Sequence, residues 1–389
     1  MGEYIQKKMT AKDYEQEILR LIRDYNRIMG TYLCIFATDM VKRIPGSELM
    51  QEDYYTICDI LANVDSDNLD ILLETPGGSG STAEDIVKFI RSKFKEVNFV
   101  IPGEAKSAGT ILALSGNEII MPSTGSLGPI DAQVQVGRSR ISAFDYVEWV
   151  DEKRKEAIKL GKLNPVDAIM IAQISPGEYR GIFHALKYAE DLVKEWLPQY
   201  KFKNWTESET RKIPITEEMK QERAREIAEA LTQHSSWRDH GRSIKRDDLE
   251  LVVKLKVKHT EAIPGLDEVV RRLHVAIRLL FGSSQIFKMF FTADHKIFRQ
   301  AASAEIKPTH LPMPDIKVGN INAKCEKCGK IHKFYVKFQK DRKIDEEQRK
   351  KGFRPLPKDG VVICGCGFNI NLTGVRNELE LGAGKKVVD

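Results

Sequence analysis

A regular alternation of strand-like and helix-like segments between residues 31 and 122 constrains the fold more than any other feature. The strand candidates are the short apolar runs TYLCIFAT (31–38), NLDILLET (68–75), VNFVIP (97–102) and EIIMP (118–122). The helix candidates are the amphipathic segments 54–64, 81–94 and 107–116. Connections this short join parallel strands through helices, so we predict an α/β fold with a mostly parallel sheet covered by helices.

Beyond residue 142 the chain is highly charged and helical in period as far as residue 235. A late strand is predicted for LELVVKLKV (249–257), and an amphipathic helix for GLDEVVRRLHVAIRLLF (265–281). A chain of 389 residues is too long for one ordinary domain. We predict four regions: an N-terminal helical segment (1–30), a main α/β domain (31–300), a proline-containing linker (301–320) and a small β-rich domain (321–385).

The composition favours a soluble protein that acts in the cytoplasm. Charged residues make up 30% of the chain. No apolar run reaches the roughly 18 residues of a membrane span, and the N-terminus lacks the apolar core of a signal peptide. A net charge of +5 is too small, on a chain of this length, to indicate nucleic-acid binding by itself. We expect no membrane partner.

Two glycine-containing turns follow successive strands and carry the chemically informative residues. TPGGSG (75–80) ends the second strand, and its glycines would direct backbone N–H groups towards an open site. GEAKSAGT (103–110) ends the third strand and places Ser107 at the start of an apolar helix. On its own Ser107 fits two roles, the N-cap of that helix or a nucleophile on a tight turn.

Taken together, the two turns favour catalysis. Acyl transfer requires a nucleophile beside N–H donors that face the developing oxyanion. If the strands are parallel neighbours, the N–H groups of Gly78 and Ala108 would supply such a pair beside Ser107.

The segment ETPGG, followed by SAGTILALSGNEIIMPSTGSLGPID, resembles the Clp protease/crotonase superfamily. Within it the chain is similar to signal peptide peptidase A-like enzymes, and above all to the serine dehydrogenase proteinase family, over roughly residues 30–290. The resemblance implies a superhelical core of strand–helix units, a serine endopeptidase acting on a protein or peptide substrate, and a homo-oligomer. It also implies that Ser107 is the nucleophile of an acyl-enzyme and that Gly78 and Ala108 are the oxyanion donors.

The general base stays open between three residues. Clp-type peptidases carry a histidine where this chain reads SLGPIDAQV (126–134), which contains none. Signal peptide peptidase A-like enzymes use a lysine, which Lys153 would match if burial lowered its pKa. The serine dehydrogenase proteinase pattern carries a histidine in the segment HSSWRDHGRSI (234–244), which His240 matches and for which His234 competes.

Four of the six cysteines form the sharpest isolated motif. Cys325 and Cys328 have C-x2-C spacing, and Cys364 and Cys366 form a C-x-C pair. Four thiolates so spaced predict a structural zinc ion in a ribbon, with an iron–sulfur cluster and free thiols as alternatives. His332 could replace one ligand but is not required. Nearby lysines suit a module that recruits a substrate or a partner, nucleic acid included.

Two other functions stand as alternatives to the peptidase. A crotonase-like acyl-CoA hydrolase or hydratase would use the same pair of N–H donors on the same fold without needing Ser107. A non-catalytic oligomeric scaffold would bind protein or nucleic acid through the zinc ribbon, and the missing histidine after Ser107 fits this interpretation.

Overall fold

A computed structural model gives the fold of the chain. It describes Tyr4 and residues 9–388, except 43, 131–132, 137–138, 209–211, 233–236, 238–240 and 302–315; for 133–135 and 139–141 it describes the backbone alone. The chain forms two compact units, Met1–Ser303 and Ala304–Asp389. Of the predicted linker at 301–320, residues 302–315 lie outside the described part, and Val318 already begins a strand.

The first unit is a mixed α/β structure. Its helices are α1 (Ala11–Met29), α2 (Gln51–Leu61), α3 (Gly80–Lys93), α4 (Ala108–Leu114), α5 (Ala143–Leu160), α6 (Pro165–Ile171), α7 (Pro176–Trp196), α8 (Glu217–Thr232), α9 (Arg246–Leu251) and α10 (Leu266–Ser283). Its strands are β1 (Tyr32–Thr38), β2 (Asn68–Glu74), β3 (Glu96–Val100), β4 (Glu104–Ala105), β5 (Glu118–Met121), β6 (Ser126–Leu127), β7 (Gln133–Val136), β8 (Ser139–Ser142), β9 (Ile244–Lys245), β10 (Lys258–His259), β11 (Ile286–Phe291) and β12 (Lys296–Gln300).

A seven-stranded sheet organises this unit, in the order β10-β5-β3-β2-β1-β11-β12. The five strands from β10 to β1 are parallel, which confirms the predicted α/β class. The edge pair β11 and β12 is antiparallel, and the sequence pattern did not predict it. In a parallel sheet all carboxyl ends lie at one edge, so the turns after β2 and β3 are neighbours.

Both faces of the sheet are covered by helices. In β1, Cys34 and Phe36 face a core layer that includes α2, α3, α4, α7 and α8. Leu33 and Ile35 face the opposite layer, formed with α1 and α10. Burial on both faces explains why the strands are continuous apolar runs rather than alternating ones.

The N-terminal helix belongs to this same core. A capping box between Thr10 and Asp13 starts α1, and Gly30, with a φ of 66°, ends it. Its apolar side packs against α10. No helix in the described part of the chain is long and apolar enough to cross a membrane.

The strand predicted at 249–257 is wrong. Residues Arg246–Leu251 form the short helix α9. After it Val253, Leu255 and Val257 are buried alternately with exposed residues. Alternate burial arises in any extended segment that lies on a core, so the pattern did not require a partner strand.

Helices α5, α6 and the start of α7 form an arm with its own small core. Ala143, Tyr146 and Ile182 make up that apolar cluster. Helix α6 has no buried residue, although Val166 and Ile169 are apolar.

The second unit is small and rich in β-structure. Its elements are β13 (Val318–Lys324), β14 (Ile331–Lys337), α11 (Arg342–Lys350), β15 (Arg354–Pro355), β16 (Val361–Ile363), β17 (Asn369–Asn371) and α12 (Thr373–Ala383). The hairpins β13–β14 and β16–β17 are antiparallel. Cys325 and Cys364 lie in its apolar core together with Phe334 and Val336.

Candidate active site and metal centre

The two glycine turns meet at the carboxyl edge of the sheet. Thr75 N donates to Glu104 O at 3.0 Å, and Lys106 N donates to Thr75 O at 3.0 Å. These bonds form a parallel bridge between Thr75 and Ala105. The end of β2 is therefore joined directly to the strand that leads into Ser107.

Gly77 permits a very close approach to Ser107. A Cβ on Gly77 would lie 2.5 Å from Lys106 O and 2.7 Å from Ser107 Cβ, and the φ of Gly77 is +91°. Because of the limited space and the positive φ, any larger residue at position 77 would be energetically costly. The first turn is thus in van der Waals contact with the serine of the second.

Ser107 itself has an unusual backbone. Its φ is 50° and its ψ is −118°, in a region that L-residues other than glycine rarely adopt. It precedes α4, but its side chain makes no capping hydrogen bond to that helix. The structure thus does not show the capping interaction that the N-cap alternative requires. Such backbone strain costs of order 1–3 kcal/mol and recurs at functional sites.

Two backbone N–H groups in the turns that meet at Ser107 have no backbone acceptor. Within the described part of the chain, neither Gly78 N nor Ala108 N donates to a backbone acceptor. The neighbouring groups are engaged: Leu49 N donates to Gly77 O at 2.7 Å, and Ser79 N donates to Leu49 O at 3.0 Å. Ala108 directly follows Ser107, and Gly78 directly follows Gly77, on which a Cβ would lie 2.7 Å from Ser107 Cβ.

Of the three candidate bases, the structure describes only Lys153. His240 and His234 lie outside the described residues. Lys153 lies on α5, where its Nζ is 3.0 Å from Glu156 and 3.4 Å from Asp167. The hydrogen bond to Glu156, with that to Asp167, raises the pKa of Lys153. A general base requires the opposite shift, so in this conformation Lys153 is an ion-paired ammonium.

Lys106, the residue before the proposed nucleophile, is a further part of this region that was not predicted. Its side chain is buried, and its Nζ donates to Ser243 Oγ at 2.8 Å and to Arg242 O at 3.1 Å. Strand β9, which follows, pairs with β6, and β6 pairs with β4. The chain just after His240 is therefore attached to the turn that carries Ser107. Lysines are seldom buried, so the sequence gave no reason to single this one out.

A cavity of about 660 Å³ lies at the same sheet edge but does not include Ser107. Glu74, Gly103, His274 and Arg278 are among its lining residues. Glu74 Oε1 is 3.3 Å from His274 Nε2, and Glu74 Oε2 is buried without a hydrogen-bond partner. Its wall includes α10, which covers the sheet face opposite to α4.

The four cysteine thiols of the second unit are close together. Cys325 Sγ is 3.6 Å from Cys366 Sγ, and Cys328 Sγ is 3.6 Å from Cys364 Sγ. All four sulfur atoms lie within 4.8 Å of one another. A tetrahedral zinc ion with Zn–S bonds of about 2.3 Å needs sulfur–sulfur separations of about 3.8 Å. The cluster thus has the size of a four-thiolate metal site.

Each cysteine pair lies in a tight turn after a strand. Cys325 N donates to Lys330 O at 2.8 Å, and Cys364 N donates to Phe368 O at 2.9 Å. The glycine after each pair, Gly329 or Gly367, has a positive φ of 75° or 80°. The two turns are similar although their cysteine spacing differs.

The pKa values of the cysteine thiols are also consistent with a bound metal cation. Against the effect of burial, hydrogen bonds from the backbone N–H groups of Cys328 and Lys327 lower the pKa of Cys325 to about 7. Against a backbone hydrogen bond from Phe368, burial and the hydrogen bond with Cys325 raise the pKa of Cys366 to about 12. Thiols this close cannot all ionise unless a positive charge lies among them. His332 Nε2 is 3.2 Å from Cys364 Sγ, beside the set rather than needed to complete it.

Part of the chain matches the model of a protein family. Residues 50–178 match the family described as ClpP-like SDH-type serine proteinase. The match includes Ser107, both glycine turns and Lys153. It confirms, for these residues, the resemblance to serine dehydrogenase proteinases that the sequence motifs indicated.

Two curated relatives are uncharacterized proteins of Methanocaldococcus jannaschii. MJ0137 is 29% identical over 153 residues, which are 39% of this chain and 50% of the relative. MJ1495 is 33% identical over 66 residues, which are 17% of this chain and 23% of the relative. The chain spans half or less of the length of these relatives.

Two similar solved structures are mutants of 1510-N, a membrane-bound stomatin-specific protease. A serine-to-alanine mutant is 14% identical, with a TM-score of 0.30, over 54% of this chain and 74% of that one. A lysine-to-alanine mutant in complex with a substrate peptide is 20% identical, with a TM-score of 0.25, over 39% of this chain and 55% of that one. At these TM-scores the similarity carries no argument about this chain.

Proposed function

We propose, on the premise that residues 50–178 belong to the ClpP-like SDH-type serine proteinase family, that this chain is a serine endopeptidase with Ser107 as its nucleophile. The observation that carries the proposal is the conformation of Ser107, whose backbone is strained and whose hydroxyl caps no helix. A serine held this way beside two free N–H groups is arranged for attack on a carbonyl.

The proposed reaction follows from these positions. Ser107 Oγ attacks the carbonyl carbon of a peptide bond while the base accepts the hydroxyl proton. The N–H groups of Gly78 and Ala108 donate to the oxygen that becomes negative. The base then returns the proton to the leaving amine, and water hydrolyses the acyl-enzyme by the same route.

We propose His240 as the base. A neutral imidazole has a pKa suited to this role near pH 7. Arg242 and Ser243, shortly after His240 in the chain, contact the Lys106 ammonium next to Ser107, which supports His240 over Lys153. His234, six positions earlier, is the natural comparison in an experiment.

For the second unit we propose a structural zinc ion held by Cys325, Cys328, Cys364 and Cys366. With four thiolates no coordination position is open for water, so the metal would hold the fold rather than take part in hydrolysis. The unit would recruit a protein substrate or a partner, and nucleic acid is a second candidate. We further propose a cytoplasmic homo-oligomer with a peptidase domain at 31–300, on which the N-terminal segment 1–30 packs, and a second domain at 321–385.

Covalent labelling tests the nucleophile. A fluorophosphonate probe should modify Ser107, as mapped by mass spectrometry, and labelling should vanish in Ser107→Ala. Cleavage of a peptide library should fall by about 10³-fold or more in the same variant. Ser123→Ala, which removes an exposed serine outside the turn, is the control. An unlabelled Ser107 in a folded protein would end the peptidase proposal.

The base is tested by comparing His240→Gln, His234→Gln and Lys153→Met. We expect only His240→Gln to slow labelling, by about 10²–10⁴-fold. The wild-type rate should rise with pH through about 6.5. Loss of labelling in Lys153→Met alone would assign the base to the lysine instead.

A further inference from the structure

The peptide of Gly78 rests directly on the backbone of Leu49. A Cβ on Gly78 would lie 2.5 Å from both Leu49 N and Leu49 O. The hydrogen bonds that Leu49 makes with Gly77 O and Ser79 N enclose Gly78 from both sides. Whatever fixes Leu49 therefore fixes the direction of the Gly78 N–H.

A buried ion pair holds both neighbours of Leu49. Lys288 Nζ donates to Glu48 O at 2.8 Å and to Asp53 Oδ2 at 2.8 Å. Met50 N donates to the same carboxylate oxygen at 2.9 Å. The side chains of Lys288 and Asp53 are both 0% exposed. The segment before and after Leu49 is thus attached to one charged pair inside the core.

This pair is costly to bury, and apolar side chains of similar volume could fill the same space. Lys288 lies in β11, where every residue from Ile286 to Phe291 is buried. Its burial lowers the pKa of the ammonium, against the attraction of Asp53. Apolar side chains of similar volume commonly replace such pairs without loss of stability. An apolar side chain could not, however, donate a hydrogen bond to Glu48 O.

Arg299 completes the arrangement. Its Nη2 is 3.1 Å from Asp53 Oδ1, and its side chain is 23% exposed. Asp53 therefore faces two cations, one inside the core and one that reaches water. The Lys288 ammonium is thus shared between Asp53 Oδ2 and Glu48 O, while Arg299 lies beside the other carboxylate oxygen.

We propose that the Lys288–Asp53 pair is a positioning device for the oxyanion site: it holds Leu49, and through Leu49 it aims the Gly78 N–H at the carbonyl attacked by Ser107. The inference rests on the proposed function of Ser107. Lys288 and Asp53 touch no reacting atom in this scheme and are positioning residues.

The test replaces both charges at once. A single substitution would leave an unpaired buried charge and disturb folding. In Lys288→Met with Asp53→Asn, the asparagine oxygen still accepts from Met50 N, while the donor to Glu48 O is lost. Arg299 is exposed enough to be solvated. Lys42→Met is the matched control, because Lys42 Nζ also donates to backbone carbonyls, those of Ser284 and Ile286, away from the Gly78 turn.

Two measurements separate positioning from general stability. Fluorophosphonate labelling of the folded double variant should show a maximal rate about tenfold lower or more, with the probe's binding constant within about threefold of wild type. Hydrogen exchange at the Leu49 and Ser79 amides should be about tenfold faster, with that of Leu69–Leu73 unchanged. The Lys42→Met variant should match wild type in both.

The result that would overturn the positioning role differs from the result that would overturn the assignment of Ser107 as nucleophile. A folded double variant with wild-type exchange at Leu49 and Ser79, or with a wild-type maximal labelling rate, overturns the positioning role. If wild-type Ser107 is itself not labelled, the peptidase proposal fails. The exchange rates alone then decide whether the ion pair holds Leu49.

Discussion

Each of the two units of this chain is stabilised in a different way. The first packs a seven-stranded sheet between two apolar layers, one on each face. The second has one small apolar cluster, and two of its core members are the cysteines Cys325 and Cys364. A unit of this size has a thin core, and the proposed metal site would compensate for it. The comparison predicts that local geometry depends on the apolar core in the first unit and on the proposed metal ligands in the second.

Removal of the metal should have the largest effect of these tests, and it should affect the stability of the second unit only. Structural zinc contributes roughly 10–16 kcal/mol of apparent binding free energy in small modules. We expect chelation, or Cys364→Ser, to unfold the second unit and to leave the first unit's melting transition in place. Elemental analysis should find one zinc per chain, and hydrogen exchange resolved by peptide measures both units.

Cys58→Ser is the matched control, since Cys58 lies in the first unit outside the ligand set. Loss of the first unit's transition on chelation would break the comparison. Iron with visible absorbance would assign the site to an iron–sulfur cluster instead.

Within the first unit, Gly77→Ala should have the next largest effect. The positive φ and the 2.5 Å approach to Lys106 O predict a loss of about 2–4 kcal/mol in the free energy of unfolding. Ser107 labelling should fall as well, because the clash lies at the nucleophile. Urea denaturation measures the first effect and probe kinetics the second.

Gly80→Ala is the control in the same turn, because a Cβ there would meet only Tyr188, at 3.6 Å. It should stay within about 0.5 kcal/mol of wild type. If both variants lost the same free energy of unfolding, the whole turn would be sensitive to substitution, and the close approach at Gly77 would not be the cause.

Ser107→Gly should stabilise the first unit while it abolishes labelling. Glycine adopts a φ of 50° without the strain that serine bears. After allowing for the greater entropy of glycine in the unfolded chain, we expect a gain of about 1 kcal/mol. Ser107→Ala keeps the strain and should show no gain. A loss of stability in Ser107→Gly would argue against strain at this position.

The smallest effect concerns an ion pair on the first unit. A hydrogen bond from Arg20, opposed by burial and aided by Tyr4, lowers the pKa of Glu17 to about 2. Because the folded-state pKa is depressed, the stabilisation is present above the ordinary value near 4.5 and is lost as pH falls towards 2. Allowing for solvent screening, Glu17→Gln should cost about 0.5–1 kcal/mol at pH 7.

Urea denaturation from pH 7 down to pH 3 measures this difference between wild type and Glu17→Gln. It should shrink through the acid range and should be the same with and without chelator. A difference that grew as pH fell would contradict the direction of the pKa shift.

The sequence was informative where short-range patterns decide the structure. Strands β1, β2, β3 and β5 follow from continuous apolar runs, and the meeting of the two glycine turns follows from parallel strands that end at one edge. The cysteine cluster was predictable because its spacing suits tetrahedral ligation.

The sequence was silent where contacts join distant residues. Lys288 and Asp53 are 235 positions apart, and nothing local marks either as a charge buried against a backbone carbonyl. The antiparallel edge of β11 and β12 was missed because its apolar run continues the pattern of the helix before it. The segment 249–257 misled because an extended chain on a core shows the same alternation as a strand.

The arm formed by α5, α6 and the start of α7 has a consequence for how the first unit opens. Its cluster around Tyr146 contributes little free energy compared with the sheet, and α6 buries nothing. Such a segment unfolds locally at a free energy far below that of the whole unit. Its amides should be among the first in the unit to exchange, and added protease should cut there while Ser107 and its turn stay folded.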